Sequence, residues 1–290
     1  EQILSDGLML YNVGLVGMVV GGLLWGILSD KYGRLKVLFG SILLYSLGTL
    51  SNAYVWDVNS YAICRFLTGI GLAGELGAGI TLVSESLPSH LRGIGTTIVA
   101  GIGLMGTAVA VVVGQFFDWQ QMYIIGGVMG LVLLAARFRM IESVLFQAQK
   151  LGTRRGEVSL LFKRGRLGRY VRCVLLGTPM YFVVGVLFTF SPELASEIGV
   201  TGVQAGVTIV FGTIGLSLGD FLCGLVSQWF KSRKLAIGLS LALAFISMVC
   251  YLTIHGLSVE AVTFICFMLG LTGGYWAVLI TVAAEQFGTN

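Results

Sequence analysis

Three ionisable side chains sit inside long apolar stretches, where each could hold a proton, a cation or an anion. Arg65 lies about seven residues into the stretch Val58–Ser84, roughly 10 Å from its start. Glu75 follows in Gly71-Leu-Ala-Gly74-Glu75-Leu-Gly77, about 15 Å further along the same stretch, too far for a direct bond to Arg65. Asp220 is the one charge between Ile198 and Phe230, about 16 Å from Lys231. A charge in hydrocarbon costs several kcal/mol unless it is paired or faces a wet cavity, so each of these needs a partner or a task. A buried carboxyl able to keep its proton is what a proton carrier requires, and Glu75 and Asp220 both fit that description. The plainer alternatives are a structural ion pair for Arg65 and a neutral, hydrogen-bonded acid for Glu75. Tyr181, Phe182, Tyr275 and Trp276 could line a cavity for a ring or sugar, or simply pack and face lipid.

The elements that position these residues follow from composition. The chain has 290 residues, 56% hydrophobic and 11% charged, with a mean hydropathy of +0.90. A soluble domain is about 25% charged, so this chain has too little polar surface for water. Apolar runs occur at Leu8–Ser29, Val37–Trp56, Val58–Ser84, Gly93–Phe117, Trp119–Ala136, Cys173–Pro192, Val203–Phe230, Leu235–His255 and Ala261–Ala284. A helix needs about 20 such residues to cross a bilayer. Period-two alternation is absent, so the expectation is nine membrane-spanning helices and an all-α polytopic membrane protein. The 42 glycines suit close helix packing in lipid, through pairs such as Gly17/Gly21, Gly22/Gly26, Gly126/Gly130, Gly215/Gly219 and Gly270/Gly274. The five cysteines show no pairing or metal spacing and read as packing residues.

Of the 18 Lys and Arg residues, all but Arg65 fall on connections that share one side if every run spans. They cluster at Lys31–Lys36, at Arg92, through Arg137–Arg172 and at Lys231–Lys234, while the opposite loops carry Asp57, Asp118, Glu193, Glu197 and Glu260. The basic side is therefore expected to be cytoplasmic. With nine spans, that places Glu1 outside and Asn290 inside. The net charge of +4 is this orientation bias and not a nucleic-acid footprint. The expected domains are an N-terminal half of five helices over 1–138, a basic cytoplasmic linker over 139–172 and a C-terminal half of four helices over 173–290.

The two halves echo each other. Gly26-Ile-Leu-Ser in the first recurs as Gly224-Leu-Val-Ser at an offset of 198. Arg65-Phe-Leu-Thr-Gly69-Ile-Gly71 is echoed by Phe-Met-Leu-Gly270-Leu-Thr-Gly273, and Glu85 by Glu285. Paired halves of matching layout suggest a transporter with its site near the midplane. The turn Gly26-Ile-Leu-Ser-Asp30-Lys31-Tyr-Gly33-Arg34-Leu-Lys36 resembles the loop between helices two and three of the major facilitator superfamily, with the last basic residue one position late. Arg65-x-x-x-Gly69-x-Gly71 resembles that superfamily's fourth-helix motif, and Glu85-Ser-Leu-Pro88-Ser-His-Leu-Arg92-Gly93 resembles an element of its sugar and organic-ion porters. Ile141-Glu-Ser stands where those porters have Pro-Glu-Ser.

The resemblance implies a major facilitator-type bundle of two pseudo-repeated halves. It further implies that this chain covers helices two to ten of twelve, with nine present. Arg65 would take part in proton or anion handling. The acid of the cytoplasmic loop, Asp30, would latch the two halves with Arg34 and Arg92, or else these residues simply anchor topology. The expected activity is proton-coupled symport of a small organic acid, sugar or related metabolite by alternating access. Its partners would be the lipid bilayer, the solute and the proton, and the protein would be a monomer in the plasma membrane, or the inner membrane of a bacterium. The rivals are an efflux antiporter of the same fold and a membrane-embedded enzyme or sensor. Gly93–Phe117 lacks the Gly-Pro element resembling antiporters, which favours symport. No Gly-x-x-x-x-Gly-Lys-Ser/Thr loop or His-Glu-x-x-His occurs, so the expectation is no cofactor or metal, no enzyme activity and a proton gradient as energy source. In a background lacking native cysteines, single cysteines at Lys31 and Lys231 are expected to label from the same, cytoplasmic face; labelling from opposite faces would overturn the paired-halves reading.

Overall fold

Lipid offers the backbone no hydrogen-bond partners, so runs this apolar must satisfy their own N–H and C=O groups, which helices do. The computed structural model describes residues 2–87, 92–137, 165–253 and 256–287. Its elements are α1 (Gln2–Tyr32), α2 (Arg34–Asn52), α3 (Val58–Ser86), α4 (Arg92–Val113), α5 (Trp119–Ala136), α6 (Arg166–Phe182), α7 (Ser191–Glu197), α8 (Ala205–Trp229), α9 (Arg233–Thr253), α10 (Val259–Gly273) and α11 (Trp276–Phe287). A π-helical turn over Val183–Phe188 continues α6, just after Pro179, whose ring nitrogen cannot donate to the helix. Among the described residues there are no strands, and eight spans are long and apolar enough to cross a membrane. The remaining expected span is α3, 29 residues long, which is about 43 Å of helix.

Two expected boundaries move. Helix α6 begins at Arg166 rather than Cys173, so Arg166, Arg169 and Arg172 ride on its first turns. Residues 139–164 of the expected linker, and residue 138 before it, lie outside the described residues. The final run, expected as one helix, is two: α10 stops at Gly273 and α11 starts at Trp276. The outward-assigned loops supply caps. Asp57 Oδ2 accepts the backbone N–H groups of Asn59 (3.1 Å) and Ser60 (3.2 Å) at the head of α3. Bonds from Ser60 and Asn59 hold the Asp57 carboxyl below its usual range. Asp118 and Gln121 form a capping box on α5, and Ser258 Oγ caps α10 through Ala261 N–H (3.2 Å).

By contact the helices form two compact units. The first contains α1, α2, α3 and α5, and its buried residues include Val37, Leu38, Ile42 and Leu82. The second contains α4 and α6 through α11, around Leu187, Phe188, Leu216, Tyr251, Val262 and Leu269. The units part from the expected five-and-four division at α4, which packs with the second. Ser217 Oγ on α8 donates to Gly101 O (2.7 Å), the hydroxyls of Thr96 and Thr281 on α11 meet at 3.1 Å, and the Phe221 ring lies against Gly101. Large apolar side chains such as Val19, Leu23, Val132, Leu175, Leu225 and Phe245 stay exposed along the helices, as a bilayer solvent requires.

Each unit is seamed by glycines. In the first, a Cβ at Gly17 would strike the Phe66 carbonyl oxygen, one at Gly21 that of Ile70, and one at Gly69 that of Gly14. In the second, Gly215 meets Phe267 O, Gly219 meets Leu271 O, and Gly270 meets Gly212 O. An offset of 198 carries Gly14, Gly17 and Gly21 onto Gly212, Gly215 and Gly219. An offset of 201 carries Phe66, Gly69 and Ile70 onto Phe267, Gly270 and Leu271. Not every expected glycine pair behaves so: Gly22 and Gly26 have nothing within 4 Å of a would-be Cβ. Gly270→Val is expected to lower the Tm of purified protein by about 5–10 °C, because overpacking at backbone contact forces the helices apart. Gly238→Val, where a Cβ meets nothing within 4 Å, should leave Tm within about 2 °C.

Candidate functional site

Helix α3 carries both charged candidates of the first unit, Arg65 and Glu75, and the α1–α3 seam fixes how they face. Arg65 is half-buried, opposite Gly14 of α1, where a Cβ would come within 3.9 Å of its Nε. Its charge acts on the hydroxyls of Tyr11 and Tyr61, and among the described residues it makes no hydrogen bond or ion pair. Around it runs an aromatic chain. The Tyr61 and Tyr123 hydroxyls are hydrogen-bonded, their rings are edge-on at 6.2 Å, and Trp119 stacks edge-on against Tyr123 at 6.2 Å. A guanidinium without a counter-ion beside phenolic hydroxyls can take a carboxylate through paired N–H donors, with ring edges nearby for an aromatic body.

Glu75 is not alone. Its Oε1 lies 3.1 Å from Arg137 Nη1 at the C-cap of α5, with both side chains about three-quarters buried. The contact is an ion pair and not an aligned hydrogen bond, since that nitrogen has no hydrogen-bond acceptor in line. The Tyr45 hydroxyl of α2 bonds to the same carboxylate. The sequence reading missed Arg137, assigning it to the basic rim. The signal was depth: Glu75 sits about 26 Å beyond Val58 and Arg137 about 27 Å beyond Trp119, on helices that start on the same side.

Asp220 on α8 is completely buried. Its Oδ1 accepts the Ala277 N–H at 3.0 Å, in the first turn of α11, so this carboxylate caps a half-helix inside the second unit. Its Oδ2 has no hydrogen-bond partner. The break that makes this possible is an inverse γ-turn: Gly274 has φ −75° and ψ 78°, and Tyr275 N donates to Gly273 O at 3.0 Å. Gly274 is there for space, because a Cβ would meet Asp220 N at 2.6 Å. Of the expected cavity aromatics, Tyr275 is buried with its hydroxyl on Leu176 O (2.8 Å), and Trp276 meets the half-exposed Tyr181 edge-on at 5.4 Å. Phe182 is exposed on α6. Of the three charged candidates, Arg65 and Glu75 belong to the first unit and Asp220 to the second.

The basic turn closes on itself. Gly33 has φ 106°, a conformation that glycine alone adopts without strain. It ends α1, and α2 then starts at Arg34. Arg34 is 4% exposed, pairs with Asp30 at 3.5 Å and donates to Ser29 O at 3.3 Å. Lys31 and Lys36 are exposed, as solvated rim residues are, and Gly26 lies on α1. Pro88 lies outside the described residues, as do the side chains of Glu85 and Arg92, and Gly93 belongs to the backbone of α4.

Helical units of matching layout, seamed by glycine and carrying ionisable groups at membrane depth, make a polytopic membrane protein of paired halves. The chain belongs to the Major Facilitator Superfamily, whose family model matches residues 6–290. It is similar to the 3-(3-hydroxy-phenyl)propionate transporter of Escherichia coli (strain K12), 33% identical over 145 residues, covering 49% of this chain and 36% of that protein. It is also similar to a 4-hydroxybenzoate transporter of Pseudomonas aeruginosa, 35% identical over 140 residues, covering 47% of this chain and 31% of that protein. These matches span about a third of each relative's length. In fold it resembles the proton:xylose symporter XylE bound to 6-bromo-6-deoxy-D-glucose, with a TM-score of 0.70 at 16% identity, covering 97% of this chain and 72% of that one.

A double-mutant cycle on Glu75→Gln and Arg137→Gln is expected to give a stability coupling of about 0.5–2 kcal/mol, read from Tm in detergent. Additive losses would show that the 3.1 Å contact holds nothing together.

Proposed function

We propose that this protein is a secondary active transporter of small organic acids, with aromatic carboxylates as its substrate class, driven by proton symport through alternating access. The observation that carries the reading is Arg65, a half-buried guanidinium beside tyrosines with no counter-ion among the described residues. A fixed cation at membrane depth is stable when a mobile anion or proton-carrying partner visits it. The relatives support the same substrate class, because those named above are transporters of a hydroxyphenyl propionate and a hydroxybenzoate, both aromatic rings bearing a carboxylate. The proton:xylose symporter of like fold supports proton coupling. A symported proton would offset the negative charge brought by the acid.

In this reading the basic turns face the cytoplasm and the protein resides in the plasma membrane, the inner membrane of a bacterium, as a monomer. Asp30, Arg34 and Arg92 would hold the cytoplasmic rim, with the Asp30–Arg34 pair setting the loop's shape. Glu75, held by Arg137 and Tyr45, would position α3 within its unit.

The test is uptake of radiolabelled 4-hydroxybenzoate into proteoliposomes with an alkaline interior. Accumulation is expected, abolished by a protonophore. Arg65→Gln should lose about tenfold to a hundredfold of initial uptake at low substrate, the loss of one charge-assisted contact, while Arg65→Lys retains part. Equal uptake by Arg65→Gln, or by wild type with no gradient, would sink the proposal.

A further inference from the structure

The break between α10 and α11 redirects the N–H groups that an unbroken helix would give to Leu271 and Gly273. In an unbroken helix Leu271 O would take its bond from Tyr275 N, but Tyr275 N turns to Gly273 O instead (3.0 Å). Gly273 O would likewise receive Ala277 N, which goes to Asp220 Oδ1 (3.0 Å). The Leu271 oxygen rests against Gly219, the residue before Asp220 on α8. The repeat shows what is missing. The matching oxygen in the first unit, that of Ile70, receives the indole N–H of Trp25 at 2.7 Å. The offset of 198 puts Cys223 where that indole would be, and its thiol is engaged with Ser240 on α9. Asp220 itself stands where the first unit has Gly22. A wholly buried carboxylate oxygen, Asp220 Oδ2, therefore makes no hydrogen bond, one residue along α8 from the contact between Gly219 and Leu271 O.

We propose that this helix break is a monovalent-cation site, in which Asp220 Oδ2 and the carbonyl oxygen of Leu271 hold one H⁺ or Na⁺ while Asp220 Oδ1 caps α11. Both cations offer the same chemistry, a single positive charge sought by oxygen acceptors, with the backbone N–H groups of Ala277 and Trp276 turned to the same carboxylate. The C-terminal end of α10 adds its negative dipole end to the same point, as at the broken helices of other transporters. Occupancy neutralises the carboxylate and so tunes its grip on the first turn of α11. The site can supply the coupling cation of the transport reading above, but its existence does not rest on that reading.

The groups around Asp220 do not confuse a titration. Helix α4 presents Gly101 and Thr97 to α8. Cys223 lies on α8 itself, Cys266 on α10, Tyr251 on α9 and Tyr275 at the break. Thiols and phenols remain uncharged between about pH 5 and pH 7. Among the described residues no ion pair reaches Asp220.

The experiment reads Tm of the purified full-length protein by intrinsic tryptophan fluorescence, without substrate. Wild type and Asp220→Asn are compared in choline chloride at about pH 7, in sodium chloride at the same pH and ionic strength, and in choline chloride at about pH 5. Asparagine keeps the acceptor for Ala277 N–H and removes the charge. A rise of about 3 °C or more in wild type over the variant is expected, at a cation concentration tenfold above its dissociation constant. A rise in the sodium arm assigns Na⁺, and a rise in the acid arm alone assigns H⁺. Equal responses of the two proteins in both arms would overturn the site. Should the variant fail to fold, hydrogen exchange at Ala277 and Val278 in wild type replaces it. Cation-dependent protection of those amides is then expected, and unchanged exchange overturns the site. Failure here leaves uptake of 4-hydroxybenzoate untouched, so the two proposals fall separately.

Discussion

The membrane-depth charges Arg65, Glu75 and Asp220 are placed by backbone resting on backbone. Where α1 crosses α3, and where α8 crosses α10, a glycine of one helix lies against a carbonyl oxygen of the other, with no side chain between. Helices in lipid gain nothing from excluding water, so such close van der Waals contact is what binds them. The first seam fixes the rotation of α3, and with it the faces that carry Arg65 and Glu75. The second brings Gly219 to Leu271 and Gly274 to the backbone of Asp220, which places the acid at the break between α10 and α11.

Much of this was legible from residues alone. The spans, the isolated charges and the glycine pairs at 215/219 and 270/274 follow from the cost of putting polar groups in hydrocarbon, which composition records faithfully. The repeat offset of 198, read from Gly26 and Gly224, is the offset that the α1 and α8 glycines obey. The second echo needed one adjustment. Gly69 does match Gly270, but the seam's offset of 201 brings Gly71 to Thr272, not Gly273.

What escaped were features set by partners rather than by local composition. Hydropathy sums over Ala261–Ala284 cannot see where each N–H goes, so the γ-turn at Gly274 stayed hidden although Gly273-Gly274 marked its place. Arg137 looked like one more rim cation because its partner lies on another helix, level in depth but 62 residues earlier in the chain. Helix α4 was assigned by chain order, yet the hydrogen bonds of Gly101 and Thr96, and the packing of Thr97 against Gly224, tie it to α8 and α11. The start of α6 moved to Arg166 because arginines are good helix formers whose charged heads can reach the membrane surface.

The seams also set how the molecule can be deformed. An interface of Cα hydrogens and carbonyl oxygens freezes almost no rotamers when it forms, so little entropy opposes it. By the same token it has no rotamers to switch, and a helix cannot glide along it by small repacking steps. Each crossing pair is a solid beam, and bending is confined to places where the winding is irregular, such as the loosened turn after Pro179 and the elbow at Gly274.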